Sequence, residues 1–333
     1  MYAAMSREQR RLVETMRSTV ADYGDELRAR DAYAGGMQWL TAKGQQYLTR
    51  YRQDPLSGDK KAVSLGRRTA ETEKIHDTFM KERADLDARI TELRPAMAEQ
   101  TRMARALRLT RAPEEVGAVA RAIGTSEMID HVTIIGEAAV YAYECEMAAL
   151  LPREILPEGG MDLLVAGVYP TDSMEELVAV LRRAKINVRP AHISDNHAVA
   201  ELRTEEGLSI KLYTTSTLEG VVDRYAEDRP YVAEAVRWAL DQPPIRSILI
   251  DRNGRAATVA VLEPRAYCML RFMAVDIEEI SLIRREASTE LNAAMVKLVH
   301  ERWTEPFIED HVQSIGPLHD LLDEDGFPSA PRM

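Results

Sequence analysis

The stretch LPEGGMDLLVAG, residues 156–167, joins a Gly-Gly turn to a short apolar segment that carries a single acid, Asp162. A continuous apolar run of this length between turn residues predicts a buried β-strand. Upstream, HVTIIG at residues 131–136 predicts a first strand, and the alanine-rich residues after it predict a helix. The middle of the chain is therefore expected to form a small mixed sheet with helices against it.

A strand, a glycine, a helix and a second strand with an acid can together bind a phosphate group and a divalent metal ion. A glycine after a strand lets backbone N–H groups approach a phosphate, and the N-terminus of the next helix adds a favourable partial charge. An acid on the neighbouring strand can hold a divalent metal against that phosphate. Most strand–glycine–helix junctions are only turns, so the pattern alone does not establish a site.

The residues downstream predict two β-hairpins. One turns near Gly207, and the other turns at Asn253-Gly254, a dipeptide typical of tight hairpin turns. In the first hairpin the second strand alternates apolar and polar residues, which places Lys211 on the polar face.

Helical patterns occupy both ends of the chain. Residues 6–30 space their apolar positions as a helix does, and Thr69 is positioned to cap a long second helix with a kink or break at Pro95. Residues 55–66 predict a loop, and helices are expected from Ser173, from Pro264 and over residues 277–303. The expected fold class is α+β. Its expected divisions are a helical N-terminal region (1–125), an α/β core (126–262), C-terminal helices (263–303) and an irregular tail (304–333).

Composition excludes several classes of protein. With 333 residues and 45% hydrophobic residues, the chain can bury an ordinary core in about two domains. No apolar run approaches the roughly 18 residues that span a bilayer, and the N-terminus lacks the apolar region of a signal peptide. Cys145 and Cys268 lack metal-ligand spacing and are expected to be buried thiols of a cytoplasmic protein without a membrane partner.

The formal net charge of −11 is unevenly distributed. Residues 1–125 contain 23 Lys/Arg and 18 Asp/Glu, whereas the remainder contains 20 and 36. A basic surface for phosphate or an acidic partner would produce this contrast, and so would solvated helix faces whose charges do not cancel. Arginines 102, 105, 108 and 111, at three-residue steps, predict either a basic stripe for nucleic acid or salt-bridged helix packing.

Five segments occur in an order that resembles one bacterial family. They are YAGGMQWLTAKGQQYL, SLGRRTAETEKI, TIIGEAAVYAYE, GGMDLLV and EPRAYCMLRFM. The chain resembles nucleotidyltransferase-fold proteins with a helical N-terminal region, which are relatives of the DNA polymerase β and minimal nucleotidyltransferase superfamily. The resemblance covers most of residues 30–300 and implies a mixed sheet flanked by helices. It also implies a site that binds a nucleoside triphosphate with two Mg²⁺ ions and moves a nucleotidyl group to a hydroxyl.

The acids of that family are only partly present in this chain. Its paired acids, two residues apart on a strand, correspond to Gly160 and Asp162. Its third acid corresponds to Lys211 in GLSIKLY. Asp162 is therefore the one catalytic and metal-binding acid that the resemblance retains, and Lys211 replaces another.

The nucleotide-binding positions are also altered. The phosphate-binding turn corresponds to Gly136, but Glu137 follows it where the family has a small hydroxyl residue or another glycine. Arg265 stands where the family has an arginine. The resemblance implies that Arg265 meets the nucleotide, and the alternative is that it ties the C-terminal helices to the sheet.

Charge arithmetic indicates that ordinary Mg²⁺ binding is lost. Three carboxylates carry a charge of −3, whereas Asp162 with Lys211 carries none. A unit charge at 4 Å from a divalent ion contributes roughly 8 kcal/mol at an effective dielectric of about 20. Lys211 is expected to pair with Asp162 or to contact phosphate directly. Glu137, Glu158 and Glu201 are candidates for a replacement acid on position alone.

These observations leave two predicted functions. The first is a nucleotidyltransferase relative with a degenerate metal site and little or no nucleotidyl transfer, retained to bind a nucleotide or a partner. The alternative is an active Mg²⁺-dependent nucleotidyltransferase that moves NMP from an NTP to an unknown hydroxyl acceptor with a rebuilt site. A weaker option adds a protein or nucleic-acid partner at basic N-terminal helices.

Overall fold

The structure is a computed structural model, and it describes residues 2–53, 59–167, 170–193, 200–225, 227, 230–274 and 288–308. The first part of the predicted helix at 277–303 and most of the predicted irregular tail lie outside the described residues.

The N-terminal region combines helices with a three-stranded antiparallel sheet. Its elements are β1 (Ala3–Ala4), α1 (Arg7–Asp31), β2 (Gly36–Ala42), β3 (Gln45–Gln53), β4 (Lys60–Arg67), α2 (Ala70–Ala106) and α3 (Glu114–Gly124). The two predicted long helices are confirmed, and Ser6 and Thr69 cap them with reciprocal hydrogen bonds.

Three expectations for this region are wrong. The segment between the long helices is a sheet in order β2-β3-β4, and residues predicted as a loop form β4. The chain reverses between β2 and β3 at Lys43-Gly44, where both residues adopt positive φ. The break predicted at Pro95 does not occur, since the long helix α2 continues through this residue to Ala106.

The remaining elements follow in chain order. They are β5 (Val132–Ile134), α4 (Val140–Glu146), β6 (Ala149–Leu150), β7 (Met161–Val165), α5 (Pro170–Arg183), β8 (Val188–Ile193), β9 (Ala200–Thr204), β10 (Ser209–Tyr213), α6 (Thr215–Tyr225), α7 (Pro230–Asp241), β11 (Ile245–Ile250), β12 (Ala256–Val261), α8 (Pro264–Ala274) and α9 (Ser288–Arg302). The strand-forming segments, both hairpins and the helix from Pro264 agree with the sequence analysis.

Seven of these strands form one mixed sheet in order β11-β12-β5-β7-β10-β9-β8. The pairs β7–β10 and β5–β12 are parallel, and the other pairs are antiparallel. With helices on both sides of it in the sequence, this sheet confirms the α+β fold class.

Two predicted helices differ from the observed ones at their starts. After Gly136 a 3₁₀ turn precedes the short helix α4, and Ala149–Leu150 pairs with β1. The helix α5 begins at Pro170, so Ser173 lies inside it and does not cap it. The Ser173 hydroxyl instead donates to the Ala166 carbonyl at 2.6 Å.

The N-terminal helices share a hydrophobic core with the sheet. Leu12, Met16 and Val20 of α1 are buried with Ile248 and Ile250 of β11. A buried ion pair adds to this contact: Arg111 donates to both Glu144 oxygens, at 2.9 and 2.6 Å. The arginines from 102 to 111 therefore do not form one exposed stripe, because this last member is enclosed.

Two further properties follow from the described residues. Cys145 and Cys268 are buried free thiols, as expected. No helix among the described residues is sufficiently long and apolar to cross a membrane.

Candidate functional site

Asp162 lies in a row of charged side chains across three strands. It is opposite Lys211 on the parallel pair β7–β10, and Lys211 is opposite Glu201 on the antiparallel pair β10–β9. Directly paired residues share a face of a sheet, and neighbouring strands are about 4.8 Å apart. Asp162 and Glu201 are therefore separated by two strand spacings, about 10 Å, with the lysine between them.

The alternation of β7 explains why Asp162 faces this row. Met161, Leu163 and Val165 are buried on one face, so Asp162 points to the other face and is half-buried there. The sequence analysis predicted that Lys211 lies on the polar face of its strand. The register of β7 and β10 shows that Asp162 lies on the same face, directly opposite Lys211.

Gly136 packs directly against Asp162. A Cβ atom at Gly136 would lie 2.2 Å from Asp162 Oδ2, so only glycine leaves room for the carboxylate in this place. The N–H groups of Ile135 and Gly136 point to the Asp162 carbonyl, at 2.9 and 3.4 Å. The turn therefore holds the acid strand, and these two N–H groups are directed to the protein rather than to a ligand.

Glu137, which follows the turn, is paired with an arginine that sequence reasoning missed. Arg271 of α8 donates to Glu137 at 2.7 Å, and its side chain is only 1% exposed. Its Nε also donates to Asn292 of α9 at 3.3 Å. The sequence places Arg271 and Tyr267, four residues apart, on one face of the helix, but it does not show that this face is buried.

The environment of Asp162 disfavours its ionised form. Burial raises its pKa to about 7, and the nearby charges of Glu137 and Glu201 act in the same direction. The cations Lys211 and Arg271 oppose this rise but do not cancel it. A substantial fraction of Asp162 is therefore protonated at neutral pH.

Glu201 is held by partners on the other side of the row. Arg203 and the Ser209 hydroxyl both donate to its Oε1 at 2.8 Å. Burial alone would raise the pKa of Glu201, but these hydrogen bonds lower it. Its carboxylate is thus ionised and engaged two strands away from Asp162.

Two tyrosine hydroxyls near the row have no hydrogen-bond partner among the described residues. They belong to Tyr213, at the end of β10, and Tyr267, on α8, and both side chains are 1% exposed or less. Burial raises the pKa of each, with Asp162 contributing to both shifts. A buried hydroxyl without a partner costs free energy, so it favours a polar ligand or water at this place.

Arg265 is not joined to this group by any contact that the described residues show. Its guanidinium donates to Glu263 at 2.8 Å, to the Pro306 carbonyl at 2.9 Å and to Glu305, and it lies over the Trp238 ring. These contacts connect the residues that follow β12 with α7 and with the residues that follow α9, as the alternative that Arg265 ties the C-terminal helices to the sheet would require.

The other acid positions do not complete a metal site. Gly160 has φ +93°, a conformation that costs an L-residue roughly 1–2 kcal/mol, and Glu158 is exposed on the turn before it. Among the described residues, no group of three or more His, Cys, Asp and Glu side chains is arranged to hold a metal ion. Mg²⁺ requires octahedral oxygen ligation, which a single carboxyl opposite Lys211 does not supply. The residues that the structure describes therefore do not fit a two-metal centre.

The comparison with protein families agrees with the fold. A family described as nucleotidyltransferase matches residues 114–316, from α3 past the end of α9. The chain belongs to this nucleotidyltransferase family. No curated protein and no solved structure matches the chain.

Proposed function

We propose that this protein is a degenerate member of the DNA polymerase β-like superfamily. It binds a nucleotide through its own cations instead of through two Mg²⁺ ions, and it transfers little or no nucleotidyl group. Gly136, Glu137, Asp162 and Lys211 form the site, together with Arg271.

The observation that carries this proposal is the register of β7 and β10. It sets Lys211 directly beside Asp162, so an ammonium stands where the family has a carboxylate. A lysine contacts phosphate as a point charge and needs no metal to do so. Two unit charges at 4 Å attract by about 4 kcal/mol at an effective dielectric of 20, before desolvation is subtracted.

The surrounding groups support a polar, anionic ligand. Arg271 adds a second, deeply buried cation whose charge reaches Asp162. The orphan hydroxyls of Tyr213 and Tyr267 supply donors that a ribose or a phosphate oxygen would satisfy. The two tyrosines and Arg271 thus favour binding, while the missing carboxylates disfavour metal-dependent transfer.

Asp162 gives this binding a pH dependence. A phosphate beside Lys211 disfavours the ionised form of Asp162, so nucleotide binding takes up a proton near neutral pH. Affinity is expected to be nearly constant well below pH 7 and to fall as pH rises above about 7. The measurement uses an ADP analogue whose phosphates do not titrate in this pH range, so that any pH dependence of the affinity comes from the protein. Asp162→Asn is the control, and its affinity should not change with pH.

The proposal is tested by nucleotide titrations with and without metal. ATP, GTP, CTP and UTP are titrated in EDTA and in Mg²⁺, with binding followed by calorimetry and pyrophosphate by a coupled assay. We expect binding in EDTA, a loss of about tenfold or more in Lys211→Ala, and no pyrophosphate above background. The exposed Lys297→Ala, on α9, is the matched control and should bind as the wild type does.

The alternative of an active enzyme makes the opposite prediction. A rebuilt site would release pyrophosphate only with Mg²⁺ or Mn²⁺, and Asp162→Ala would abolish the release. Turnover of this kind would refute a degenerate site. If no nucleotide binds either in EDTA or in Mg²⁺, the proposal that the site binds a nucleotide is refuted. Binding of a partner would then remain as the predicted role of the fold.

A further inference from the structure

One face of the strands β2 and β3 packs against the protein and the other faces solvent, whereas β4 is exposed along almost its whole length, including Val63 (61%) opposite Arg50. The packed face contains Leu48, which is fully buried, and Trp39, whose ring lies 5.8 Å from the His76 ring on α2. Arg50 and Arg68 also belong to the packed side, over the rings of Phe79 and Trp39.

The solvent-facing side is defined by the strand register. Leu40, Tyr47 and Arg67 form one row across the three strands, and Gln53 is opposite Lys60 at the far end. Tyr51, between these rows, lies over Gly36, so close that a Cβ there would be 2.4 Å from its hydroxyl. This solvent-facing side therefore combines two tyrosines with basic and amide side chains. Lys43, Lys60 and Arg67 are exposed on or beside it.

The positive excess of the N-terminal region is located in this sheet. Residues 32–69 contain seven Lys/Arg and two Asp. By contrast, α1 contains six basic and six acidic residues, and α2 contains seven and eight. The helices expected to be basic are thus neutral or slightly acidic, and the sheet is the basic element of an otherwise acidic chain.

We propose that the solvent-facing side of this sheet binds single-stranded nucleic acid. Tyrosine rings on a sheet provide flat surfaces on which unpaired bases stack, and Tyr47 and Tyr51 are each half-buried on this face. Lysine and arginine side chains at the edges attract the phosphates, and glutamine amides on the same face, such as Gln38 and Gln53, can donate to base or sugar oxygens.

An acidic protein is the less favoured partner for this face. Protein interfaces have a hydrophobic centre, whereas Leu40 is the large apolar side chain placed centrally in these rows, among amides and hydroxyls. Lysines on the edge strand β4 also hinder pairing with other chains. If the lysines served only to prevent such pairing, the sheet would have no affinity for nucleic acid. Measuring that affinity therefore distinguishes this protective role from nucleic-acid binding.

The test is fluorescence anisotropy with labelled oligonucleotides of about 20 residues, single-stranded DNA, single-stranded RNA and a duplex, at several salt concentrations. We expect both single strands to bind more tightly than the duplex. The double variant Lys60→Glu/Arg67→Glu should weaken binding by about tenfold or more and flatten its salt dependence. Lys74→Glu/Lys81→Glu, at exposed positions on α2, changes the charge equally and should have less than about twofold effect.

Tyr47 provides a second pair of variants that isolates stacking from charge. Tyr47→Phe keeps the aromatic ring and should bind as the wild type does, whereas Tyr47→Leu should weaken binding by about 5- to 150-fold. Unfolding midpoints confirm that each variant is folded. The proposal is overturned by no binding at low salt, by equal loss in the two charge variants, or by tighter binding of the duplex. It is also overturned if polyglutamate competes as well as the single strands do.

Discussion

Asp162→Asn gives the most informative change in stability. The aspartate titrates near 3.9 in the unfolded chain, whereas burial raises its pKa to about 7 in the folded protein. Between these values the folded state binds the additional proton, so the free energy of unfolding decreases as pH rises, until Asp162 is ionised in both states. With 1.36 kcal/mol per pKa unit, the wild type loses about 2.5 kcal/mol through this group between pH 5 and 8.

Asparagine removes this loss because its amide stays neutral. The stability of the variant relative to the wild type should therefore increase by about 2.5 kcal/mol between pH 5 and pH 8. Urea unfolding at four pH values measures the difference, with the exposed Glu158→Gln as the control. If the relative stability of the variant instead stays constant or decreases as pH rises from 5 to 8, Asp162 is ionised in the folded protein as a partner of Lys211, and the reasoning from burial fails.

Three further changes test other contacts. Gly136→Ala should destabilise the fold by about 1–3 kcal/mol, because its Cβ would overlap the Asp162 carboxylate, whereas Gly159→Ala has nothing within 4 Å and should be nearly neutral in the same urea assay. Glu144→Ala leaves the buried Arg111 without its ion-pair partner and should lower the free energy of unfolding by about 3–5 kcal/mol. A decrease of less than about 1 kcal/mol would contradict the burial of this ion pair. Lys211→Asp should increase the affinity for Mn²⁺, measured by equilibrium dialysis. Adding Gly160→Asp to this variant should increase the affinity little further, because residue 160 has a positive φ that an aspartate rarely adopts. A large further increase would show that residue 160 adopts another backbone conformation.

The sequence identified the central sheet because its strands are short apolar runs between clear turn residues. Asn253-Gly254 and Gly207 mark both hairpins, and Pro264 marks the start of α8. The N-terminal sheet was missed because β4 is polar and exposed along almost its whole length. Such an edge strand lacks the buried alternation by which a strand is recognised.

The candidate site was only partly visible in the sequence. The polar face of β10 indicated Lys211, but its pairing with Asp162 depends on a register that one sequence does not fix. Arg271 could not be identified as a buried cation, since burial of a helical arginine depends on the helices around it. The positive φ at Gly160 likewise depends on how the turn enters β7.

The central claim is that this site lacks the oxygen ligands for two metal ions. Anomalous diffraction from crystals soaked with Mn²⁺ and a non-hydrolysable triphosphate tests it most directly. We expect nucleotide phosphates beside Lys211 and no manganese within about 2.5 Å of the Asp162 carboxylate. Two manganese ions bound by Asp162 would contradict the claim.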